Sequence, residues 1–317
     1  MIIVNNPTST AAGKNYFKNP AFSVIQGTAS GTLANSLALP TASLGYLGET
    51  EWCIAASGGT PAYAFSSLDE RVTFTGAAST TAIYLLQRLE SRDTNRLKDK
   101  TVSFSFETSN SLLTSLTWEI FRPTTSDDVH GTIASPTQTL IASGTITINS
   151  TLTRYSVTAV LPSEASRGLE IRLRVGAQTS GTWVVARLQL EEGSTATDFN
   201  CGDYAEELMR CRRYSEILRG SEIQFNGYAR GTTTAGVVRN FSVPKFLNPV
   251  FSDLGSNYVI QAGAGVVAVT NFSVAYSTKE AIHLDISCAS GLTQGQGSIV
   301  RNGDSVTSVI GFLAHIP

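Results

Sequence analysis

The sequence predicts a mainly β protein: a jelly-roll β-sandwich, one short α-helix and a second, smaller C-terminal β-sandwich. Charged residues make up only 15% of the 317-residue chain, against roughly a quarter in an average soluble domain. Serine, threonine, glycine and asparagine take their place, which suits short strands joined by polar turns. The hydrophobic period is two wherever it is clear before residue 200. It turns helical once, over residues 203–220, and then returns to two.

Residues 1–20 are polar, contain Pro7 and Pro20 and show no sustained period, so an extended anchoring arm is expected there. Residues 21–202 read as the jelly roll. Val102, Phe104 and Phe106 alternate with Ser103 and Ser105, and Leu169, Ile171, Leu173 and Val175 with Glu170, Arg172 and Arg174. Each is expected to be a strand with one wet face. Further strands are expected at 83–89, 116–121, 141–148, 154–160 and 183–191, joined by turns rich in Gly, Ser, Thr and Asp. In the last of these, Val184, Ala186, Leu188 and Leu190 make the expected inward face, leaving Trp183, Arg187 and Gln189 on the other. A tryptophan on a polar face is a ligand platform, a subunit contact or an ordinary half-exposed ring. Trp118, in phase with Leu116 and Ile120, belongs in the core.

In the helix, Asp203 caps the first turn, Glu206 follows as in a capping box, and Gly220 is placed to end it. Tyr204, Leu208, Cys211, Ser215 and Leu218 fall on a seam of a and d positions that runs about 21 Å at roughly 1.5 Å per residue. Tyr214 and Ile217 widen the seam. Arg210, Arg212, Arg213 and Arg219 with Glu206, Glu207 and Glu216 flank it. So short a helix needs a packing partner: either its own sandwich, or the same seam from other copies meeting on an axis. Strands at 237–243, 265–270, 272–276, 282–288 and 306–313 then make up the 221–317 unit.

Composition also excludes functions. A net charge of −2 leaves no basic stripe for a phosphate backbone, so no nucleic acid is expected. No run of about 18 apolar residues and no signal-peptide pattern occur, so neither membrane insertion nor export is expected and folding in a cytoplasm is. Cys53, Cys201, Cys211 and Cys288 form no C-x-x-C pair, and His130, His283 and His315 lie far apart. No metal site, cofactor or disulfide framework is indicated. Asp127 and Asp128 are adjacent, as are Glu191 and Glu192, and adjacent carboxylates do not span a glycosidic bond. There is no G-x-S-x-G elbow, and no helix follows Gly263 and Gly265 to cradle a phosphate. His283, alternating with Ile282 and Leu284, is expected to face solvent. A protein that is not an enzyme is expected.

The run from Arg187-Leu-Gln-Leu-Glu-Glu-Gly-Ser-Thr-Ala-Thr-Asp-Phe199 into Asp203-Tyr-Ala-Glu-Glu-Leu-Met-Arg-Cys-Arg-Arg-Tyr214 resembles the signature of tailed-phage fibre and virion appendage proteins. There a strand "QLE-x-G-x-x-A-T-x-F" leads into "Y-x-x-E-L-x-x-C-x-R-Y". Leu86-Gln-Arg-Leu-Glu90, Leu97-Lys-Asp-Lys-Thr-Val-Ser-Phe-Ser-Phe106 and Leu152-Thr-Arg-Tyr-Ser-Val-Thr158 are similar to further family segments, in the family's order. Phe241-Ser-Val-Pro-Lys-Phe-Leu-Asn-Pro249 is similar to the segment that opens the tip sandwich. The chain departs from the family at Asp99, where glycine is usual, at Leu152, where tryptophan is common, at Glu107, and at Lys245 and Phe246. The resemblance implies a jelly roll like that of carbohydrate-binding modules, a homotrimer on the virion surface, and anchorage to other virion proteins through the arm. Head or tail fibre, and host-glycan attachment or purely structural decoration, both stay open.

Overall fold

The computed structural model describes residues 15–33, 37–40, 46, 50–253, 255–263, 265–303 and 308–317. The chain divides into two compact units, Met1–Leu208 with Ile316–Pro317, and Met209–His315. Both are built mainly of antiparallel strands.

The first unit runs β1 (Ser30–Thr32), β2 (Cys53–Gly58), β3 (Ala62–Ser66), β4 (Arg71–Thr75), β5 (Thr80–Leu89), a single turn α1 (Ser91–Thr94), β6 (Thr101–Asn110), β7 (Ser115–Pro123), β8 (Gln138–Thr147), β9 (Thr153–Val160), β10 (Leu169–Val175) and β11 (Thr182–Glu192). Its two sheets have the orders β1-β3-β4-β11-β6-β9 and β2-β5-β10-β7-β8. Between them lies one core that takes alternate residues from most of the strands, among them Phe104, Phe106, Leu116, Trp118, Leu169, Ile171, Leu173 and Val175. This is the two-sheet sandwich that the period-two pattern demands.

Two expectations fail here. Residues 1–14 lie outside the described residues, but 15–20 are not an arm. Phe17 is fully buried, with its ring 5.1 Å from Trp52 and 5.5 Å from Phe104. Gln87 holds the neighbouring backbone like a paired strand, accepting from Lys18 N at 2.8 Å and donating to Lys18 O at 2.7 Å. Nor are the alternate faces wet: Ser103, Ser105 and Glu170 are all buried. Arg154 closes over Ser105, donating to its Oγ at 2.7 Å, and Arg88 and Gln138 close over Glu170.

The helix α2 (Tyr204–Arg212) is half the expected length. Asp203 caps it as anticipated, its Oδ1 accepting from Ala205 N at 2.8 Å and Glu206 N at 3.3 Å. It does not reach Gly220, because Ser215–Arg219 is a strand, β12. Lys245 Nζ donates to the Arg212 carbonyl, and Phe246 N donates to Arg213 O at 2.9 Å. These bonds satisfy groups that a continuing helix would have used. β12 then pairs with β20 (Val309–Leu313).

The rest of the second unit comprises β13 (Gln224–Ala229), β14 (Thr234–Asn240), β15 (Val250–Asp253), β16 (Tyr258–Ala262), β17 (Gly265–Ser277), β18 (Ala281–Cys288) and β19 (Gly297–Asn302). Six strands close into a barrel, β13-β14-β18-β17-β16-β19, and β12-β20-β15 form a smaller sheet. Leu218, Ile310 and Phe312 of the small sheet share one core with Phe225, Ile260, Leu284 and Val300 of the barrel.

Candidate binding site

The residues singled out in the sequence do not come together. Of the helix seam, Tyr204 is 58% exposed, Cys211 is buried, and Ser215 and Leu218 are buried in strand β12; Leu208 is half-buried. The expected flanking charges Glu207 and Glu216 are buried as well. Glu207 accepts a hydrogen bond from Asn19 N at 2.6 Å. A five-residue seam on one helix face does not exist.

The Trp183, Arg187 and Gln189 set is also dissolved. The register between β11 and β6 shifts between Ala186 and Gln189, and Arg187 has φ +46°. This bulge reverses the phase of the strand. Trp183 and Val185 point inward before it, and Leu188 and Leu190 after it. Trp183 is stacked on Phe74 at 4.8 Å, and its Nε1 donates to Thr108 Oγ1 at 3.0 Å. Arg187 joins strands, with Nε 2.7 Å from Glu70 and Nη1 3.0 Å from Glu107. Gln189 belongs to a closed network. Its Nε2 donates to Glu191 Oε1 (2.8 Å) and Thr197 Oγ1 (2.9 Å), Thr197 N and Oγ1 donate to the Glu191 carboxylate at 2.7 Å each, and Asn200 N donates to Gln189 Oε1 (2.9 Å). The Gln, Glu and Thr of the signature run therefore fold residues 193–200 back along their own strand.

A different face gathers functional groups. Across β5, β10 and β7, register places Tyr84, Arg174 and Thr117 in one row, Leu86, Arg172 and Glu119 in the next, and Arg88, Glu170 and Phe121 in a third. Residues paired in this way project from one side of the sheet, here the side opposite the core. Glu170 is the hub. Its Oε2 accepts from Arg88 Nε at 2.8 Å and Gln138 Nε2 at 2.7 Å, and its Oε1 accepts from Arg172 Nε at 3.1 Å and from Arg172 Nη2. Arg88 also donates to Gly131 O at 2.6 Å and Ile316 O at 3.3 Å. The Arg172 guanidinium lies 4.6 Å from the Phe121 ring centre, 6.0 Å from that of Tyr84, and 3.6 Å from Glu119.

Burial pushes the Glu170 carboxyl up, but Arg88 and Arg172 reverse this and bring it down to about 2. His130 is buried next to the cluster, its Nδ1 3.2 Å from Gln138 Nε2. Burial, reinforced by Arg88 and Arg172, lowers it to about 3, so it is a neutral imidazole at neutral pH. Burial likewise raises the Tyr46 hydroxyl and the Cys53 thiol nearby. The face opens at Tyr84, Arg174 and Thr117 and, on β7, at Glu119 and Phe121, all half-exposed. The result is a charged floor with one half-exposed aromatic ring toward each end, Tyr84 in the row of Arg174 and Phe121 in the row of Glu170. The sequence signal is the Glu-Arg-Arg of β10, whose alternation with apolar residues is also that of a solvated face.

Among the described residues no cluster of His, Cys, Asp and Glu is arranged to hold a metal ion, and no helix is long and apolar enough to cross a membrane. None of the four cysteines is joined in a disulfide, and of the four Cys201 is the exposed one. His283 is half-exposed, its Nε2 2.6 Å from Arg230 Nη2.

No known protein family matches the sequence, and no curated protein does. Solved structures do. A CBM4 structure is 16% identical, with 54% of this chain and 100% of that one covered and a TM-score of 0.36. The C-terminal family 22 carbohydrate binding module of Clostridium thermocellum Xyn10B is 14% identical, with 59% and 99% covered and a TM-score of 0.33. The enzymatically active domain of tailspike protein 4 of bacteriophage CBA120 is 12% identical, with 49% and 21% covered and a TM-score of 0.33. At these identities the likeness concerns β architecture alone.

Proposed function

We propose that this chain is the subunit of a homotrimeric fibre on a tailed-phage particle, on head or tail, and that it attaches to host-surface glycans by many weak contacts. The virion setting rests on the resemblance of residues 187–214. The observation that carries the binding is the set of half-exposed rings and polar groups on the β5-β10-β7 face. A sugar ring offers an apolar C–H face to an aromatic ring and hydroxyls to planar polar groups, and Tyr84 and Phe121 stand beside Arg172, Arg174 and Glu119. With Arg88, Arg172 and Arg174 against Glu119 and Glu170, the face holds three positive and two negative charges, so neutral and acidic glycans are both acceptable. The role is binding rather than cleavage. Glu170, held ionised and saturated with donors, has no proton to give. A single site of this openness is weak, and repeating it on one particle multiplies its effect.

The test is adsorption of the purified chain to host cells, competed by polysaccharide from those cells. Phe121→Ala and Tyr84→Ala are expected to weaken adsorption at least ~10-fold each, in the range of lost aromatic contacts. Wild-type protein that does not adsorb, on particles that become fragile when it is deleted, would instead favour a purely structural decoration protein.

A further inference from the structure

Strand β17 is 13 residues long, and none of them is buried. Its neighbour β18 alternates half-buried with buried along its whole length, as a strand with a core on one side does. β17, with the sequence GVVAVTNFSVAYS, also has no charged side chain. Val266, Val274 and Tyr276 are 52%, 46% and 67% exposed. They occupy both faces: Val274 pairs with inward Leu284, while Tyr276 pairs with His283 on the outer side. Next to the strand, Val250 is 50% exposed, and the half-buried rings of Phe251 and Phe272, 5.4 Å apart, line a groove of about 540 Å³. Scattered exposed apolar residues are ordinary, but a contiguous uncharged run on one strand is a surface that something covers.

We infer that copies of this chain meet along β17. This rests on the multi-copy part of the proposed function and names the surface for it, now that the helix seam is gone. A sugar would stack on one ring and hydrogen-bond around it, leaving Val250, Val266 and Val274 wet. A different protein partner would be selected by charge, and β17 offers none. Rotational symmetry brings identical residues together near the axis, where a charged strand would repel its own copies. An uncharged strand of valines, alanines and a tyrosine is self-complementary there. Arg230, 2.7 Å from Asp285 and 2.6 Å from His283, supplies a polar rim on the outer face.

Sedimentation velocity on the full chain tests this. Wild type is expected at three times the 33.7 kDa chain mass. The Val266→Lys/Tyr276→Lys double variant is expected as a monomer with an unchanged thermal melt, its assembly weakened at least ~100-fold by charges buried without partners. Leu68→Lys, at a 95% exposed site in the first unit, is expected to stay trimeric. In a Cys201→Ser background, Ala275→Cys is expected to form an inter-chain disulfide on oxidation, and Leu68→Cys none; this readout does not require the charged variant to fold. A trimeric double variant, or no cross-link through Ala275→Cys in a trimer, overturns the β17 assignment and leaves the fibre reading standing. A monomeric wild type overturns both.

Discussion

Glu170 in the first unit and Glu216 in the second are both buried carboxylates held by two cations, yet they organise different things. The partners of Glu170 come from one sheet face: Arg172 two residues along the same strand, and Arg88 on the strand beside it. The network stiffens a surface and fixes the guanidinium between two rings. The partners of Glu216 come from elsewhere in the chain: Arg239, 2.9 Å away in β14, and Lys245, 2.9 Å away in the segment that follows. Lys245 also holds the Arg212 carbonyl at the end of α2. Burial pushes the Glu216 carboxyl up, but Lys245 and Arg239 outweigh that and hold it below the usual range. The same chemistry orients a surface in one unit and fixes the chain's change from helix to strand in the other.

The comparison can be broken by removing one member of each cluster. Glu170→Ala leaves Arg88 without its carboxylate and Arg172 with Glu119 alone, 3.6 Å away, and is expected to cost about 3–5 kcal/mol in denaturant unfolding. Lys245→Met leaves Glu216 one cation and a hydroxyl, Ser242 Oγ at 3.5 Å, and is expected to cost about 2 kcal/mol. A larger loss for the lysine would reverse the order of the two clusters.

A pH titration separates the clusters further. The His130 imidazole is held down to about 3 against its ordinary 6.5. The unfolded chain therefore takes up this proton below pH 6.5 while the folded chain does not, and stability falls as pH drops from there, by up to about 1.4 kcal/mol per pH unit. Glu170, at about 2 against 4.5, adds its own loss only below pH 4.5. His130→Gln is expected to flatten the curve between 6.5 and 4.5, and a variant that keeps the slope would place its origin outside this cluster. The smallest effect concerns one backbone angle. Asp99 has φ +59°, a left-handed conformation that costs a side-chain-bearing residue more than glycine, and Asp99→Gly is expected to raise stability by about 0.5–1 kcal/mol in thermal unfolding.

Much of the fold was legible. Val102, Phe104 and Phe106, or Leu169 through Val175, announce their strands because one face of each meets the core at every second residue. The candidate site was not legible for the same reason. Glu170, Arg172 and Arg174 alternate as solvated residues do, and nothing local tells that Arg88 and Gln138 close over Glu170. Trp183 was misplaced because a bulge at Arg187 reverses a period that otherwise runs true. The seam from Tyr204 to Leu218 failed because Tyr-Ser-Glu-Ile-Leu suits a helix face and a strand equally well.

The sequence by itself determined the mainly β class, most strand positions, the Asp203 cap and the order of the units, because these follow from turn chemistry and local period. Only the tertiary structure decided that Ser215–Arg219 is a strand, that the six-stranded sheet of the second unit closes, and that three arginines and two glutamates share one face. Each depends on partners distant in the chain, such as Val309–Leu313 beside Ser215–Arg219. Pairing energy between such segments outweighs a local preference of a few tenths of a kcal/mol per residue.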